Sequence, residues 1–544
     1  MPRLSVLDMA LALIVTALGA VLSYGLMGGV PLIGIDDAAI TRSYAENIAG
    51  GHGYVYNIGG ERVEGATSML WTLVLTLAYM AGPPPEHLII GICFAITVWA
   101  VMVTLSLTRA LAALIGAPQR GAVLVASALL LALPGYFLWT IWTMMESALW
   151  SALLIWLVLA LVRRIAGAKS LVGLGIIVPA ALLPLTRPEG VAVAVGLLAL
   201  AALLSRYCRR AALGGIALAL ISFGALTAFR MQYFGVPWPN TFYAKVSSDV
   251  VQGLVDGLKY MVGFLLQAPF AEVMVLLWAG AALWGLSRLG SNPIRGAALI
   301  LPAAAVFGVL GTYAGLGGDH FALWRFYQPM TPLLPVAVAL ATVSLLPRLV
   351  SWADIGVASR VFVGAGCLAV IYGTAWIHFH QSRFDMKAEF TLVSRGLEFG
   401  KALNAVEPQP VVGVGPAGGI ALAYDGTIRD LLGLNWAEMA RANPIKIGKR
   451  NHASFDSEVF WRHQPDIVAA FERRCDTGEE APLISLGSDY ALRFDNQRFR
   501  DIYAPILLRT ETGCWPGFAK RTWLESTQDT RLVEIDWARV QFMN

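Results

Sequence analysis

The feature that most constrains the fold is a series of apolar runs, most of them long enough to cross a lipid bilayer. A membrane-spanning helix needs about 17–25 predominantly apolar residues. Such runs lie at residues 8–28, 87–107, 121–134, 146–163, 170–186, 190–205, 211–229, 268–286, 296–314, 330–347 and 361–379, with a borderline one at 66–82. Charged residues make up only 14% of the chain, against about 25% in soluble domains. The sequence therefore predicts a mainly α-helical, polytopic membrane protein.

Cations fall in alternate loops, and this pattern predicts the orientation of the bundle. Loops rich in Lys and Arg stay on the cytoplasmic side, and here they carry Arg3; Arg109 and Arg120; Arg163, Arg164 and Lys169; Arg206, Arg209 and Arg210; Arg288 and Arg295; and Arg348 and Arg360. The first run then acts as a retained signal anchor, and the chain from residue 380 lies outside. Because this arrangement needs an odd number of crossings, either 66–82 or 87–107 does not fully span. We expect about eleven transmembrane helices.

Composition changes near residue 380, where polar and charged residues become frequent. The change predicts a transmembrane domain at 1–380 and a soluble outer domain at 381–544. Val411 to Val414, glycine-rich sequence and then Ile420 to Tyr424 predict a strand, a turn and a helix. The soluble domain is therefore expected to be α/β.

The same stretch matches a dinucleotide-binding pattern through Gly413, Gly415 and Gly418. A nicotinamide site outside the cell is implausible, and Pro416 removes one N–H that could bind a phosphate. We interpret the pattern as an ordinary strand-to-helix turn.

Cysteine and histidine usage gives little sign of metal or redox chemistry. Cys93, Cys208 and Cys367 lie in or beside apolar runs and are expected to be plain thiols. Cys475 and Cys514 could form a disulfide if the soluble domain faces an oxidising compartment. His378 and His380 lie at the predicted end of the last helix, where an interfacial cap is favoured over a metal site. The formal net charge of +4 does not suggest nucleic acid.

Six polar islands interrupt the apolar sequence on the predicted outer face. They are the Asp36–Asp37 loop, Trp139 to Glu146, Thr186 to Gly190, Tyr233 to Ser247, Gly317 to Pro329, and Leu431 to His452. Ionisable groups held at a bilayer boundary are costly and are functional candidates by default. Structural alternatives exist: the two Asp could cap a helix, Arg187 and Glu189 could pair, and Lys245 and Arg325 could reach lipid headgroups.

The islands together favour a binding pocket over these alternatives. Aromatic rings and carboxylates are suited to stacking on sugars and bonding their hydroxyls, and Lys and Arg are suited to a phosphate. The combination indicates glycosyl transfer from a lipid phosphate.

The order of these segments resembles the GT-C superfamily of integral-membrane glycosyltransferases, and in particular the mycobacterial terminal arabinofuranosyltransferase group, which uses decaprenyl-phosphate arabinofuranose. The segments that carry the resemblance are Asp36-Asp37-Ala38-Ala39-Ile40, Gly51 to Asn57, Glu61 to Gly65, Met145-Glu146, Thr186 to Gly190, Pro239 to Lys245 and Gly317 to His320. The resemblance extends over nearly the whole chain and implies a GT-C transmembrane bundle with a periplasmic C-terminal domain.

The resemblance implies catalytic roles for Asp36 and Asp37. One carboxylate would accept the proton of the acceptor hydroxyl, and the other would orient the donor sugar or stabilise positive charge on its ring. The substrate-binding candidates are Arg42, Tyr44, His52, Glu64, Glu146, Arg187, Glu189, Asn240, Tyr243, Lys245, Asp319, His320 and Arg325. Among them Lys245, Arg325 or Arg187 would offset the charge on the departing phosphate. Lys446, Lys449 and His452 are candidates for contact with a glycan acceptor.

The resemblance further implies no obligate cofactor or metal, a lipid-phosphate sugar of the decaprenyl-phosphate arabinofuranose type as co-substrate, and a cell-envelope glycan or glycoconjugate as acceptor. The protein is expected to span the bacterial inner membrane several times, with its active site on the periplasmic face. A flippase or transporter for a lipid-linked sugar is the main alternative, although charges in such proteins lie near the bilayer midplane on broken helices. A membrane-anchored glycan-binding protein is a third possibility.

Overall fold

The structure is a computed structural model that describes residues 5–83, 86–168, 172–246, 249–349, 357–442, 455–471, 474–475, 484–486, 493–511 and 513–542. Most of this length forms a bundle of apolar helices. Within these ranges, seven helical segments are long and apolar enough to cross a membrane: Val6–Leu26 (α1), Glu86–Ile115 (α4), Ser147–Ile165 (α7), Arg206–Tyr233 (α10), Pro293–Gly315 (α14), Arg325–Leu345 and Phe362–Leu403. The protein is therefore a multi-pass membrane protein, as predicted.

Two further helix pairs are long and apolar enough together but are sharply bent. Gln119–Leu130 (α5) meets Pro134–Trp142 at 73°, and Val250–Gln267 (α12) meets Ala271–Arg288 (α13) at 101°. If each bent pair counts as one span, the described residues hold up to nine candidate spans by length and composition. The expected number of about eleven would require the short helices Leu174–Thr186 and Gly190–Leu204 to cross as well, so that number stays a prediction.

Helix length decides which of the two early apolar runs, 66–82 or 87–107, crosses the membrane. Met69–Tyr79 (α3) contains 11 residues, too few to span, whereas α4 contains 30. The run at 66–82 is therefore the one that does not cross. The remaining helices are Asp36–Ala49 (α2), Pro134–Phe137 (α6) with a π-helical Leu138–Trp142, Val172–Thr186 (α8), Gly190–Leu204 (α9), Asn240–Lys245 (α11), a 3₁₀ helix at Arg325–Leu333, and Leu334–Leu349 (α15).

The bundle core is centred on α7, whose residues are mostly buried. This helix packs against α4, α8 and α14, and its Leu154, Leu157 and Val158 are fully buried in the largest apolar cluster. An apolar helix that is enclosed on most sides belongs in the centre of a membrane protein. The ends of the surrounding helices therefore define the rim on which the polar islands lie.

The last long helix, Val357–Leu403 (α16), runs through the predicted domain boundary at residue 380 without a break. Our placement of His378 and His380 at a helix end is therefore wrong, since both lie inside α16. The His378 ring stacks on Trp324 at 6.1 Å, and Nδ1 of His380 lies 3.2 Å from the Leu26 carbonyl oxygen. Residue 380 stays a prediction as a domain boundary.

Beyond α16 the chain forms a domain with two sheets, which we call the tail. Its strands are Val412–Val414 (β1), Ile428–Asp430 (β2), Ile467–Ala469 (β3), Ile484–Leu486 (β4), Tyr503–Thr510 (β5), Gly513–Lys520 (β6), Leu532–Glu534 (β7) and Val540–Phe542 (β8). The larger sheet has the order β2-β1-β3-β6-β5-β7, and β4 pairs with β8. Its short helices are Gly418–Ala421 (α17), Ala437–Arg441 (α18), Ser457–His463 (α19), Gln497–Ile502 (α20) and Arg521–Leu524 (α21).

Two sequence predictions for the tail are confirmed. The glycine-rich stretch is a turn from β1 into α17, as expected. Cys475 and Cys514 form a disulfide, which joins β6 to the segment after β3. Cys93 and Cys208 are buried free thiols and Cys367 is an exposed one.

The tail shares a core with the outer loops of the bundle. Tyr44, Tyr54 and Tyr56 from the first outer segment pack in one cluster with tail residues that include Val414 and Trp515. Because apolar burial is the main favourable term in association, the tail and the outer rim form one packed unit.

A buried ion pair supports this rim. Glu64 accepts two hydrogen bonds from Arg230 of α10, at 2.7 Å from Nε and 2.9 Å from Nη2. Both side chains are almost completely buried. The pair fixes the segment around Gly65, which lies beside the cavity described below.

We predict that Arg230→Met destabilises the protein by about 3–5 kcal/mol, because it leaves the Glu64 carboxylate buried without its cation. Thermal unfolding in detergent would show a lower midpoint. The double variant Arg230→Met with Glu64→Gln removes both charges and should regain part of the loss. Equal midpoints for the wild type and Arg230→Met would contradict this account.

Candidate active site

The first outer segment turns sharply into α2 and so brings two carboxylates to the start of a helix. Gly34 has φ +85°, and a Cβ there would approach the Thr143 carbonyl oxygen at 3.0 Å. Ile35 is the N-cap, and its side chain makes no capping bond. Asp36 and Asp37 occupy the first turn, where negative charge complements the helix dipole. Their carboxylates make the further contacts described next, so capping alone does not account for them.

Asp36 points toward the tail. Its Oδ2 accepts a hydrogen bond from the Gly418 N–H at 2.9 Å, and its Oδ1 accepts one from the Gly419 N–H at 2.8 Å. The residue is 7% exposed. Burial raises the pKa of the Asp36 carboxyl to about 6, although the two N–H groups act in the opposite direction.

Asp37 points toward the bundle and meets two cations. Its Oδ2 lies 3.1 Å from Nη1 of Arg325 and 3.8 Å from Nζ of Lys245. Burial alone would raise the pKa of the Asp37 carboxyl, but Lys245, Arg325 and His320 outweigh burial and hold it below its ordinary value. Asp37 is therefore ionised at neutral pH.

Arg325 is shared between two carboxylates. Its Nε lies 2.6 Å from Oδ2 of Asp319, so the guanidinium bridges Asp319 and Asp37. Burial would raise the pKa of the Asp319 carboxyl, but Arg325 and His320 keep it well below its usual range. The backbone N–H of His320 donates to Asp319 Oδ1 at 2.9 Å. Two consecutive residues just before Arg325, Leu323 and Trp324, have positive φ.

A second charged group surrounds Arg187 at the junction of α8 and α9. Arg187 pairs with Glu146 through Nη1 and with Glu189 through Nε. The guanidinium carbons of Arg187 and Arg325 each lie 4.8 Å from the centre of the Phe326 ring. The Phe326 ring thus contacts both guanidinium groups. We call the two groups of charged side chains, around Arg325 and around Arg187, the charged array.

This array lines a cavity of about 580 Å³. The predicted residues on its wall are Asp37, Glu146, Arg187, Glu189, Lys245, Asp319 and Arg325. The cavity is mixed in character, because apolar residues of α9, α10, α11 and α14 form much of the rest of its wall. A site of this kind suits a ligand with one charged and one apolar part.

The other predicted residues lie outside the cavity wall. Arg42 donates to the Ile33 carbonyl, the Tyr79 hydroxyl and Glu86, and Glu64 pairs with Arg230. Asn240 donates to the carbonyl oxygens of Gly433 and Leu434 at 2.8 and 3.0 Å. These side chains hold the loops around the cavity.

Of the remaining candidates, Tyr44 and Tyr243 contact the tail, His52 faces the solvent and His320 contacts Asp319. The Tyr44 hydroxyl donates to Asn435 Oδ1 at 3.1 Å, and the Arg441 guanidinium lies over the Tyr243 ring at 5.6 Å. His52 is exposed on a loop, and His320 lies behind Asp319. Lys446, Lys449 and His452 lie outside the described residues.

Sequence reasoning missed several wall residues because they lie within or next to apolar runs. Phe223 and Tyr313 belong to α10 and α14, and Thr67 and Ser68 precede α3. Tyr313 stacks on Phe326 with ring centres 4.4 Å apart. A Tyr one turn from the end of an apolar helix is a weak signal, since Tyr is common at membrane interfaces.

No group of three or more His, Cys, Asp and Glu side chains that could hold a metal ion occurs in the part of the chain that the structure describes. The expectation that no metal or cofactor is obligatory stays a prediction. The array holds four carboxylates, those of Asp37, Glu146, Glu189 and Asp319, and three cations, those of Arg187, Lys245 and Arg325.

Comparison with known proteins supports the family resemblance. No family model matches the chain. The terminal β-(1→2)-arabinofuranosyltransferase of Corynebacterium glutamicum is 30% identical over 358 residues, which cover 60% of this chain and 50% of the relative. The chain thus spans about half the length of the curated relative that it matches.

Solved structures agree at the level of the fold. The crystal structure of ArnT from Cupriavidus metallidurans bound to undecaprenyl phosphate has a TM-score of 0.56 and 12% identity, and the match covers 93% of this chain and 97% of that one. The apo form of the same protein gives a TM-score of 0.54 over the same shares of the two chains. The expected resemblance to GT-C glycosyltransferases is confirmed, and the chain has the GT-C fold.

Proposed function

We propose that this protein is a glycosyltransferase that uses a polyprenyl-phosphate-linked sugar as donor. The observation that carries the proposal is the position of Asp37, a partly buried and ionised carboxylate in contact with two cations on the wall of a partly apolar cavity. Such a cavity offers contacts for a phosphate, a sugar and the adjoining part of a lipid chain in one continuous site. The structural likeness to ArnT, which was crystallised with undecaprenyl phosphate, supports a lipid-phosphate donor.

Lys245 and Arg325 are proposed to bind the donor phosphate. Lys245 lies in the last turn of α11, and Arg325 is aimed into the cavity by its pairing with Asp319. Cations placed where negative charge develops lower the barrier most effectively when they are fixed in advance. Both cations contact Asp37 Oδ2, so a phosphate that binds them lies beside a potential base.

Asp37 is proposed to be the general base. The hydroxyl oxygen of the acceptor attacks the anomeric carbon of the donor sugar, and the bond from that carbon to the phosphate oxygen breaks. The hydroxyl proton passes to Asp37, and the lipid phosphate leaves as a monoester held by Lys245 and Arg325. A base in hydrogen-bonding position contributes about 10²–10⁴-fold.

Glu146, Arg187 and Glu189 are proposed to hold the sugar. Their carboxylates can accept hydrogen bonds from sugar hydroxyls, while Arg187 limits the repulsion between the two acids. Tyr313 and Phe326 offer stacked aromatic surface on the same wall, which suits the apolar face of a sugar ring.

We further propose that the sugar is arabinofuranose or a similar one, and that the acceptor is a cell-envelope glycan or glycoconjugate on the periplasmic side of the inner membrane. Support for the sugar comes from the curated relative, a terminal arabinofuranosyltransferase. Support for the orientation comes from the distribution of Lys and Arg in the loops.

We predict that Asp37→Asn lowers transfer from decaprenyl-phosphate arabinofuranose by about 10²–10⁴-fold. The affinity for undecaprenyl phosphate should be kept or increased, because Lys245 and Arg325 lose a competing carboxylate. Transfer is measured with the full chain in nanodiscs by mass analysis of the product, and affinity by microscale thermophoresis.

The matched control is Asp256→Asn, which removes an acid that pairs with Lys259 on α12, outside the cavity. It should leave both quantities unchanged, whereas Lys245→Met and Arg325→Met should weaken undecaprenyl phosphate binding. Wild-type turnover in Asp37→Asn would refute the assignment. Movement of the donor across the bilayer without a new glycosidic bond would identify a flippase instead.

The pH dependence of transfer should distinguish the two adjacent acids. The pKa of Asp37 is lowered, so its base form persists as the pH falls and transfer should change little between pH 5 and pH 7 through this group. Burial also lowers the pKa of the neighbouring His320 below its ordinary value. Protonation of Asp36, whose pKa is about 6, would also loosen its contacts and lower transfer in this range, so the profile is measured in Asp36→Asn, where residue 36 does not titrate. Residual transfer that stays level between pH 5 and pH 7 fits Asp37 as the base, and absence of transfer at every pH points to Asp36. The measurement is the initial rate at saturating donor across this range.

A further inference from the structure

We propose that Asp36 is a positioning residue that holds the tail against the bundle, so that the tail forms one wall of the donor cavity. This inference rests on the proposed function only for the identity of the ligand in that cavity. It gives the two adjacent acids different roles: Asp37 acts on the reacting atoms, and Asp36 holds the contact between the tail and the bundle.

The first argument is the set of partners of Asp36. Both carboxylate oxygens are occupied by N–H groups of Gly418 and Gly419, which lie more than 380 residues away in sequence. Hydrogen bonds from N–H groups to an ionised carboxylate are stronger than neutral ones. Asp36 is buried and, unlike Asp37, does not line the cavity. Its carboxylate is therefore committed to the tail.

The second argument is the fit of α17 between two helices. A Cβ at Gly418 would collide with the backbone carbonyl of Asp36, and one at Gly419 would collide with the carbonyl of Val393 on α16. Only Gly permits this approach. Tyr56 also holds this turn, because its hydroxyl donates a hydrogen bond to the Ala417 carbonyl.

The third argument is that the docked tail reaches the cavity. Leu434 of the tail lies on the cavity wall, and its carbonyl accepts a hydrogen bond from Asn240 at the start of the helix that carries Lys245. Asn435 accepts from Tyr44, while its own N–H donates to Asp430 at 2.8 Å. The segment from Asp430 to Asn435 thus links the tail sheet, α2 and the cavity.

The consequence is that Asp36 acts through the position of the tail and not on the reacting atoms. Loss of its bonds should free α17 and the 430–435 segment while the phosphate-binding cations stay in place. Undecaprenyl phosphate should therefore still bind when the tail is loosened, whereas transfer should suffer because one wall of the site has moved.

The test compares Asp36→Asn, Gly418→Ala and the control Asp529→Asn, whose acid pairs with Arg531 on the tail surface. Hydrogen–deuterium exchange of the full chain in nanodiscs reads peptides from 417–435 against peptides from the β5–β6 hairpin. In Asp36→Asn and Gly418→Ala, exchange at 417–435 should rise about tenfold or more, with the hairpin unchanged. The control should match the wild type in both regions.

A second measurement separates positioning from ligand binding. The affinity of Asp36→Asn for undecaprenyl phosphate should stay within about threefold of the wild type, because Asp36 does not line the cavity, whereas Arg325→Met should lose affinity. With the donor that the wild type turns over, kcat of Asp36→Asn should fall at least about tenfold. General destabilisation would instead raise exchange in the hairpin as well.

Unchanged exchange at 417–435 in Asp36→Asn would overturn the proposal. So would loss of undecaprenyl phosphate affinity without a change in exchange, because Asp36 would then be a ligand-binding group. If Asp36→Asn does not fold, Gly418→Ala decides, since it keeps both acids and disturbs only the contact. A wild type that does not bind undecaprenyl phosphate would refute the proposed function, and the exchange result would still test the docking.

Discussion

Two neighbouring carboxylates at the start of one helix face different surroundings, and the rest of the site depends on this divergence. Successive residues of an α-helix point about 100° apart, since 3.6 residues make one turn. Asp36 consequently meets N–H groups of the tail, while Asp37 meets the cations of the bundle. The helix therefore fixes the tail and the charged array with respect to each other, and a change in its entry angle would disturb both.

The backbone just before each group of charged side chains adopts a conformation that is unfavourable for most residues. Positive φ values occur at Gly34 just before the two acids, at Met144 two residues before Glu146, and at Trp324 just before Arg325. Non-Gly residues held in such conformations cost about 1–3 kcal/mol each and cluster at functional sites. The surrounding contacts hold them in place, for example the Trp71 indole that donates to the Met144 carbonyl at 3.0 Å. The charged side chains are thus aimed by strained turns that packing compensates.

The sequence alone identified those parts of the molecule that are encoded locally. Apolar length predicted the spans, and the glycine-rich stretch after residue 411 predicted the strand and turn that meet Asp36. Seven residues of the cavity wall could be identified because they are ionisable and lie beside apolar runs. Ion pairs between distant residues were harder to anticipate. Glu64, which lies outside the cavity wall, looked like a substrate ligand, but its partner Arg230 lies 166 positions further along the chain.

Long-range geometry explains the other differences. The two acids looked equivalent because their neighbours in sequence are shared, and only the docked tail distinguishes them. The two histidines of α16 looked like a helix end because hydropathy falls at residue 380, yet the backbone stays helical to Leu403. Hydropathy reports where a helix leaves the lipid, while the end of the helix depends on the backbone hydrogen bonds that follow.

The electrostatics of the site show that burial alone does not determine how a carboxyl group behaves. Asp36, Asp319 and Asp430 are buried and Asp37 is partly buried, and burial acts to raise the pKa of all four carboxyl groups. For Asp36 and Asp430, which face mainly N–H groups and an amide, the pKa remains raised at about 6. For Asp37 and Asp319, Lys245 and Arg325 reverse the direction. A full positive charge compensates desolvation where N–H dipoles do so only in part, so Lys245 and Arg325, the proposed phosphate-binding cations, also keep Asp37, the proposed base, ionised.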